Sequence, residues 1–203
     1  MMKLMVIGFP KSGTTSITAA LELAGVRCAH WRYDANNFVG ELIYRSLLAG
    51  DDPFASLGEF EAITQADACV PALNVNVWPN LDFSALIAIR RAHPTCHFLL
   101  NYRRPEAICE SIEKWPNLQS RLTASNIPGL PRGFGGERGH LRTWIENHFD
   151  ACRTFFAKDE HFSEIDIESP DAPERLGSAI GVPITRWANV KPLEPPPTAA
   201  ARA

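Results

Sequence analysis

Two short stretches of this 203-residue chain carry residues whose types and spacing suit the chemistry of anions. The first is Gly8-Phe-Pro-Lys-Ser-Gly-Thr-Thr15, set between an apolar run (Lys3 to Gly8) and a helical pattern. Backbone N–H groups in a strand-to-helix loop point inward, and the helix N-terminus adds partial positive charge, so such a loop cradles phosphate. Gly13 permits the tight turn, Lys11 brings a full charge, and Thr14 and Thr15 bring hydroxyl donors. The spacing fits the pattern G-x-x-x-x-G-K-[ST] through Gly13, but Thr14 stands where that pattern has lysine. A nucleotide hydrolase places that lysine on the β- and γ-phosphates and uses the next hydroxyl for magnesium. No acidic residue stands out as the end of a magnesium-binding strand.

The second stretch is Arg103-Arg-Pro105-Glu-Ala-Ile-Cys-Glu-Ser111, directly after the apolar run CHFLLNY (Cys96 to Tyr102). An arginine at the carboxyl end of a strand can fork onto a phosphate. Pro105 suits the first turn of a helix, and Ser111 follows on the same side about two turns on. Ligands of open α/β sheets bind outside the carboxyl ends of the strands, where Lys11 and Arg103 would both lie.

These residues need elements to hold them. Lys3 to Gly8 reads as a buried strand, and Ile17, Ala20, Leu21 and Ala24 mark a helix closed by Gly25. Val26 to His30 is a weak second strand, and Val39, Leu42, Ile43 and Leu47 mark a second helix. Between Asp51 and Pro79 the pattern is poor: Asp67 to Val70 reads as a strand edge and Asn74 to Pro79 as irregular. Ser84 to His93 is a helix stopped by Pro94, and Cys96 to Tyr102 is the clearest strand. Pro116 to Gly139 reads as a long loop, functional or mobile. Leu141 to Phe156 has strong helical spacing, Phe162 to Ile167 is a last strand, and Pro173 to Ile180 is a short helix. Alternating strands and helices imply a mostly parallel sheet covered on both faces. Residues 1–191 read as one domain, and the Pro/Ala-rich stretch 192–203 as a disordered tail without a role.

Composition narrows the function classes. With 45% hydrophobic and 21% charged residues the chain is globular, and a net charge of −3 speaks against a protein that coats nucleic acid. The five cysteines (28, 69, 96, 109, 152) form no C-x-x-C pair, which points to free thiols in a reducing compartment. No run reaches the ~18 apolar residues of a membrane span, and Met1 to Phe9 is too short for a signal peptide. The expected setting is cytoplasmic, with no membrane and no nucleic acid as partner.

Lys-Ser-Gly-Thr-Thr (11–15) resembles the 5′-phosphosulfate loop of the PAPS-dependent sulfotransferases, and Arg103-x-Pro105-x5-Ser111 resembles their 3′-phosphate element R-x-P-x5-S. The similarity extends loosely over residues 3 to 190, to the closing strand and helix of small bacterial-type sulfotransferase domains. It implies a P-loop kinase-like, three-layer α/β sandwich around a mostly parallel sheet of about five strands. It implies transfer of a sulfuryl group from PAPS to a hydroxyl or amine of a small-molecule or glycan acceptor, releasing PAP, with no metal. Pro10, Lys11, Ser12, Gly13, Thr14, Thr15, Ser16, Arg103 and Ser111 would bind the nucleotide, and Lys11 would stabilise the leaving phosphate oxygen. Some sulfotransferases use a histidine as base and others a glutamate, and neither local pattern is clean here. His30 is the first choice, with Asp34 and Asp67 after it, while His97 and His148 read as packed side chains. Trp31, Trp78 and Phe134 are candidates to line an acceptor pocket, whereas Trp115 and Trp144 read as core. The run Arg132 to Gly139 reads as a mobile basic loop and not as the family's C-terminal R-K-G-x-x-G element. A P-loop kinase or hydrolase, and a non-catalytic PAP-binding protein, are the alternatives.

Overall fold

In the computed structural model, which describes residues 1–187, the strand alternation is divided between two apolar layers. In β1 (Leu4–Val6), Leu4 and Val6 face one layer while Met5 faces the other with Ile7. The first layer is closed by α1 (Thr14–Leu23) and α7 (Ala172–Ile180), through Ile17, Leu21, Leu176 and Ile180. The second is closed by α2 (Val39–Ala49), α3 (Phe83–Ala92), α4 (Pro105–Lys114) and α6 (Arg138–Phe155). Between them lies an all-parallel five-stranded sheet in the order β2 (Cys28–His30), β3 (Ala62–Gln65), β1, β6 (His97–Tyr102), β7 (Phe162–Asp166). The result is the three-layer α/β sandwich of the P-loop type.

The order places β1 between β3 and β6, so the loop after β1 has the ends of both neighbours beside it. From β1 the chain crosses to β2 on one side, and from β6 it crosses to β7 on the other. That divergence opens a crevice at the carboxyl ends, where ligands of open sheets bind.

Three readings from the sequence change. β3 is illegible there because four residues (AITQ) are too few to show a period, yet it pairs with both β1 and β2. Val75–Val77, expected to be irregular, is strand β5 and pairs antiparallel with β4 (Ala68–Val70) in a small hairpin outside the main sheet. The 116–139 segment is not one long loop: it contains α5 (Leu118–Thr123), and Leu118, Leu122, Ile127 and Leu130 are buried in the second layer. Gln119 Nε2 donates to the carbonyls of Gly135 and Gly136 (both 3.0 Å), so the glycine-rich half is tied to α5. The expected tail 192–203 and the last residues of the expected 1–191 domain lie outside the described residues.

All five thiols are free, with Cys69, Cys96, Cys109 and Cys152 buried. Burial pushes the Cys96 and Cys152 thiols up to about 12, which leaves them inert core groups. Among the described residues no helix is long and apolar enough to cross a membrane.

Candidate active site

The loop after β1 is held from three directions. From below, the fully buried Phe9 ring makes edge contacts with Trp144 (4.7 Å), His148 (5.1 Å) and Phe149 (5.6 Å) of α6. His148 Nε2 donates to the carbonyl of Ile7 at 2.8 Å, and burial lowers its pKa to about 4, so the ring stays neutral at neutral pH. From the β6 side, Asn101 Nδ2 donates to Ser12 O (2.8 Å) and Ser12 Oγ (2.5 Å), and Ser12 Oγ donates to Phe9 O (2.5 Å). From the β3 side, Asn80 Nδ2 donates to Gly8 O at 2.8 Å. Glycine at position 8 follows from this crowding, because a Cβ there would fall 2.1 Å from Asn101 Oδ1. Gly13 has φ +79°, and a Cβ there would meet Ile167 Cδ1 at 2.6 Å.

The loop opens into a cavity of about 800 Å³, a size that suits a nucleotide-sized ligand. Pro10, Lys11, Gly13, Thr14, Thr15 and Ser16 line it, and so do His30, Arg103 and Ser111. The fold therefore gathers the two separate sequence motifs around one space. Ser12 is the exception: its side chain is fully buried and serves as the clasp between Asn101 and Phe9. Asp34 is excluded from the cavity, because its carboxylate is spent on the backbone of Asn36 and Asn37 in an exposed turn.

Lys11 has φ +70°, a left-handed backbone uncommon outside glycine, and its Nζ stands 3.0 Å from the centre of the Trp115 ring. Desolvation, helped by the nearby Arg121 charge and partly offset by Asp67, lowers its pKa to about 8. Arg103 Nη1 donates to the Lys11 carbonyl (3.0 Å) and its Nε to Glu168 Oε1 (3.1 Å), while Arg104 reaches the other oxygen of Glu168. Glu168 itself lines the cavity.

Two groups in the cavity suit proton transfer. Asp67 lies two residues beyond β3 and receives Gln65 Nε2 (3.0 Å) and Asn80 Nδ2 (3.3 Å). Desolvation outweighs these donors and raises its pKa to about 7. Thr14 Oγ1 donates to Gln65 Oε1 at 3.0 Å, so one chain of hydrogen bonds runs from the helix start to Asp67 and through Asn80 to Gly8. His30 stands at the end of β2 with Nδ1 3.1 Å from both Thr18 Oγ1 and Thr64 Oγ1. Thr18 gives its proton to Thr14 O (2.8 Å), and Thr64 gives its own to Thr18 or to Ala29 O. With the hydroxyl protons placed there Nδ1 is the donor and Nε2 keeps the lone pair; with Thr18 or Thr64 donating to Nδ1 the tautomer reverses. Burial lowers the His30 pKa to about 4, so the ring is a neutral and weak base.

The apolar walls depart from expectation. Trp31 and Trp78 line the cavity as expected, but Phe134 is half exposed and packs on His140 away from it. Trp115, read as core, lies under Lys11 and lines the cavity. Trp187, Gln65 and Arg121 also face it and carried no sequence signal. None of residues 132–139 lines the cavity; Arg138 pairs with Glu113 of α4 instead.

A parallel sheet with a glycine-turned loop at the end of its central strand, facing a second basic motif, defines a P-loop-type protein of the α/β class. Residues 3–163 match the model of the sulfotransferase domain family, and the chain belongs to that family. Membership places its chemistry in sulfuryl transfer. No curated protein matches the chain.

Proposed function

We propose that this protein transfers a sulfuryl group from PAPS to a hydroxyl or amine of a small-molecule or glycan acceptor and releases PAP. The observation that carries this reading is the meeting of Lys11, Gly13, Thr14 and Thr15 with Arg103 and Ser111 around one cavity. The loop would take the 5′-phosphate, and Arg103 with Ser111 the 3′-phosphate. The acceptor oxygen or nitrogen forms its bond to sulfur as the bond from sulfur to the 5′-phosphate oxygen breaks. The electron pair stays on that oxygen, where Lys11 stabilises the growing charge. The acceptor's proton passes to Asp67, whose pKa of about 7 matches a base at neutral pH better than the value of about 4 at His30. His30 Nε2 is the alternative base.

One observation favours a second reading. Asp67 supplies an acid beyond the strand next to β1, where a P-loop kinase would hold magnesium, although Thr14 occupies the place of the kinase lysine. Calorimetric titration with PAP without metal, and with ATP and magnesium, separates the two. The expected result is metal-independent PAP binding weakened by Lys11→Ala and by Arg103→Ala. A preference for ATP with magnesium overturns the sulfotransferase reading of this cavity.

A further inference from the structure

Among the described residues that line the cavity, Arg121 is the one cation with no assignment so far. It comes from α5, whose place is fixed by burial of Leu118 and Leu122 and by the ties from Gln119 to Gly135 and Gly136. The end of α5 is docked on the β4–β5 hairpin: Cys69 Sγ lies 3.4 Å from Ser125 Oγ, and Asn76 Nδ2 donates to Asn126 O at 2.6 Å. Among the described residues the guanidinium has no carboxylate partner and no hydrogen bond, and its Nε is buried without an acceptor. Arg90, Arg103, Arg138, Arg142 and Arg153, by contrast, each pair with a carboxylate. Arg121 is half-buried, with its Nε out of reach of solvent and without an acceptor, and an anion in the cavity would complete it.

Its position narrows which anion. Arg121 is near enough to Lys11 to disfavour the lysine's charge, and Lys11 is in turn near enough to Asp67 to feel its carboxylate. The three groups thus line the cavity within electrostatic reach of one another. Arg103 is taken up by Glu168 and by the Lys11 carbonyl. A donor such as PAPS carries three anionic groups. The loop accounts for the 5′-phosphate and Arg103 with Ser111 for the 3′-phosphate, which leaves the sulfuryl group.

We infer that Arg121 is a catalytic residue that binds the sulfuryl oxygens of the donor beside Lys11. The inference rests on the PAPS reading above. Sulfur changes partners between the phosphate oxygen and the acceptor while its three peripheral oxygens keep their charge, and a fixed guanidinium fork holds them throughout. Asp67 lines the same cavity and takes the acceptor's proton.

The donor and its product differ in this one group, so the test needs no acceptor. Dissociation constants for PAPS and PAP are measured by short calorimetric titrations on the wild type, Arg121→Ala and Arg121→Lys, with thermal unfolding to verify that each variant is folded. The expected result is a loss of about ten-fold or more in PAPS affinity for Arg121→Ala, the size of a lost charge-assisted hydrogen bond. PAP affinity should change less than two-fold, and Arg121→Lys should keep part of the PAPS affinity. Equal losses for both nucleotides would place Arg121 on a phosphate or make it structural, and unchanged affinity for both would assign it to the acceptor. Either outcome overturns the assignment with wild-type binding intact. Failure of the wild type to bind PAP instead overturns the PAPS reading itself.

Discussion

On the proposed reading, Lys11 should make nucleotide binding depend on pH in a calculable way. Its pKa is lowered to about 8 because the chain buries the amine against Trp115 beside Arg121. If only the ammonium form receives the 5′-phosphate, affinity scales with the protonated fraction. That fraction is about 0.9 at pH 7 and about 0.1 at pH 9, so the dissociation constant for PAP rises about ten-fold over this interval. The sign is opposite to that of a site limited by ionisation of its ligand, because the phosphates are already charged throughout this range. Binding at pH 9 should also take up nearly one proton, seen as a dependence of the observed enthalpy on the buffer's ionisation enthalpy. Lys11→Arg, charged at both values, should bind PAP with little pH dependence, and Lys11→Ala should bind weakly at both. Asp67 titrates at the lower end of this range, so Asp67→Asn serves as the control: the loss of affinity toward pH 9 should persist in it. Equal affinity at pH 7 and 9 in the wild type, or an undiminished change in Lys11→Arg, would refute the reasoning.

Three further outcomes follow from the same geometry. Asn101→Ala removes both bonds to Ser12 and leaves a buried carbonyl unsatisfied; it should cost about 2–3 kcal/mol in urea unfolding and weaken PAP binding. Glu168→Gln removes the charge that Arg103 and Arg104 share, which should free both for the 3′-phosphate and tighten PAP a few-fold in titration. Acid should destabilise the fold: His148 has a folded pKa near 4 and an ordinary one near 6.5, so its stabilisation is complete above pH 6.5 and is lost as pH falls toward 4. That loss reaches about 2 kcal/mol at pH 5, and urea midpoints across pH in the wild type and His148→Phe would measure it.

Some parts of the site are legible in the chain because they are local. A glycine-turned loop between a strand and a helix has its chemistry within eight consecutive residues, and Arg103-x-Pro105-x5-Ser111 within nine. The helices announce themselves by period, and β1 and β6 by continuous apolar runs. Ser12 shows the limit of this. Its type fits a phosphate ligand, but whether a hydroxyl faces the cavity or Asn101 depends on a residue 89 positions away. The four residues of β3 are silent for another reason: a strand buried on both faces needs no alternation, and it is defined by its neighbours.

The glycine-turned loop motif, its partner motif, the class of sheet that brings them to one edge and, through them, the family are written in the chain itself. Which side chains share the cavity, and how readily each is protonated, depends on packing in three dimensions. Asp34 and Asp67 are the same residue type, yet one is used up in an exposed turn and the other is desolvated to a pKa of about 7. Trp115 and Arg121 reach Lys11 because α4 and α5 fold back over the ends of the strands. Desolvation and charge coupling depend on distance in space, and distance along the chain does not encode them.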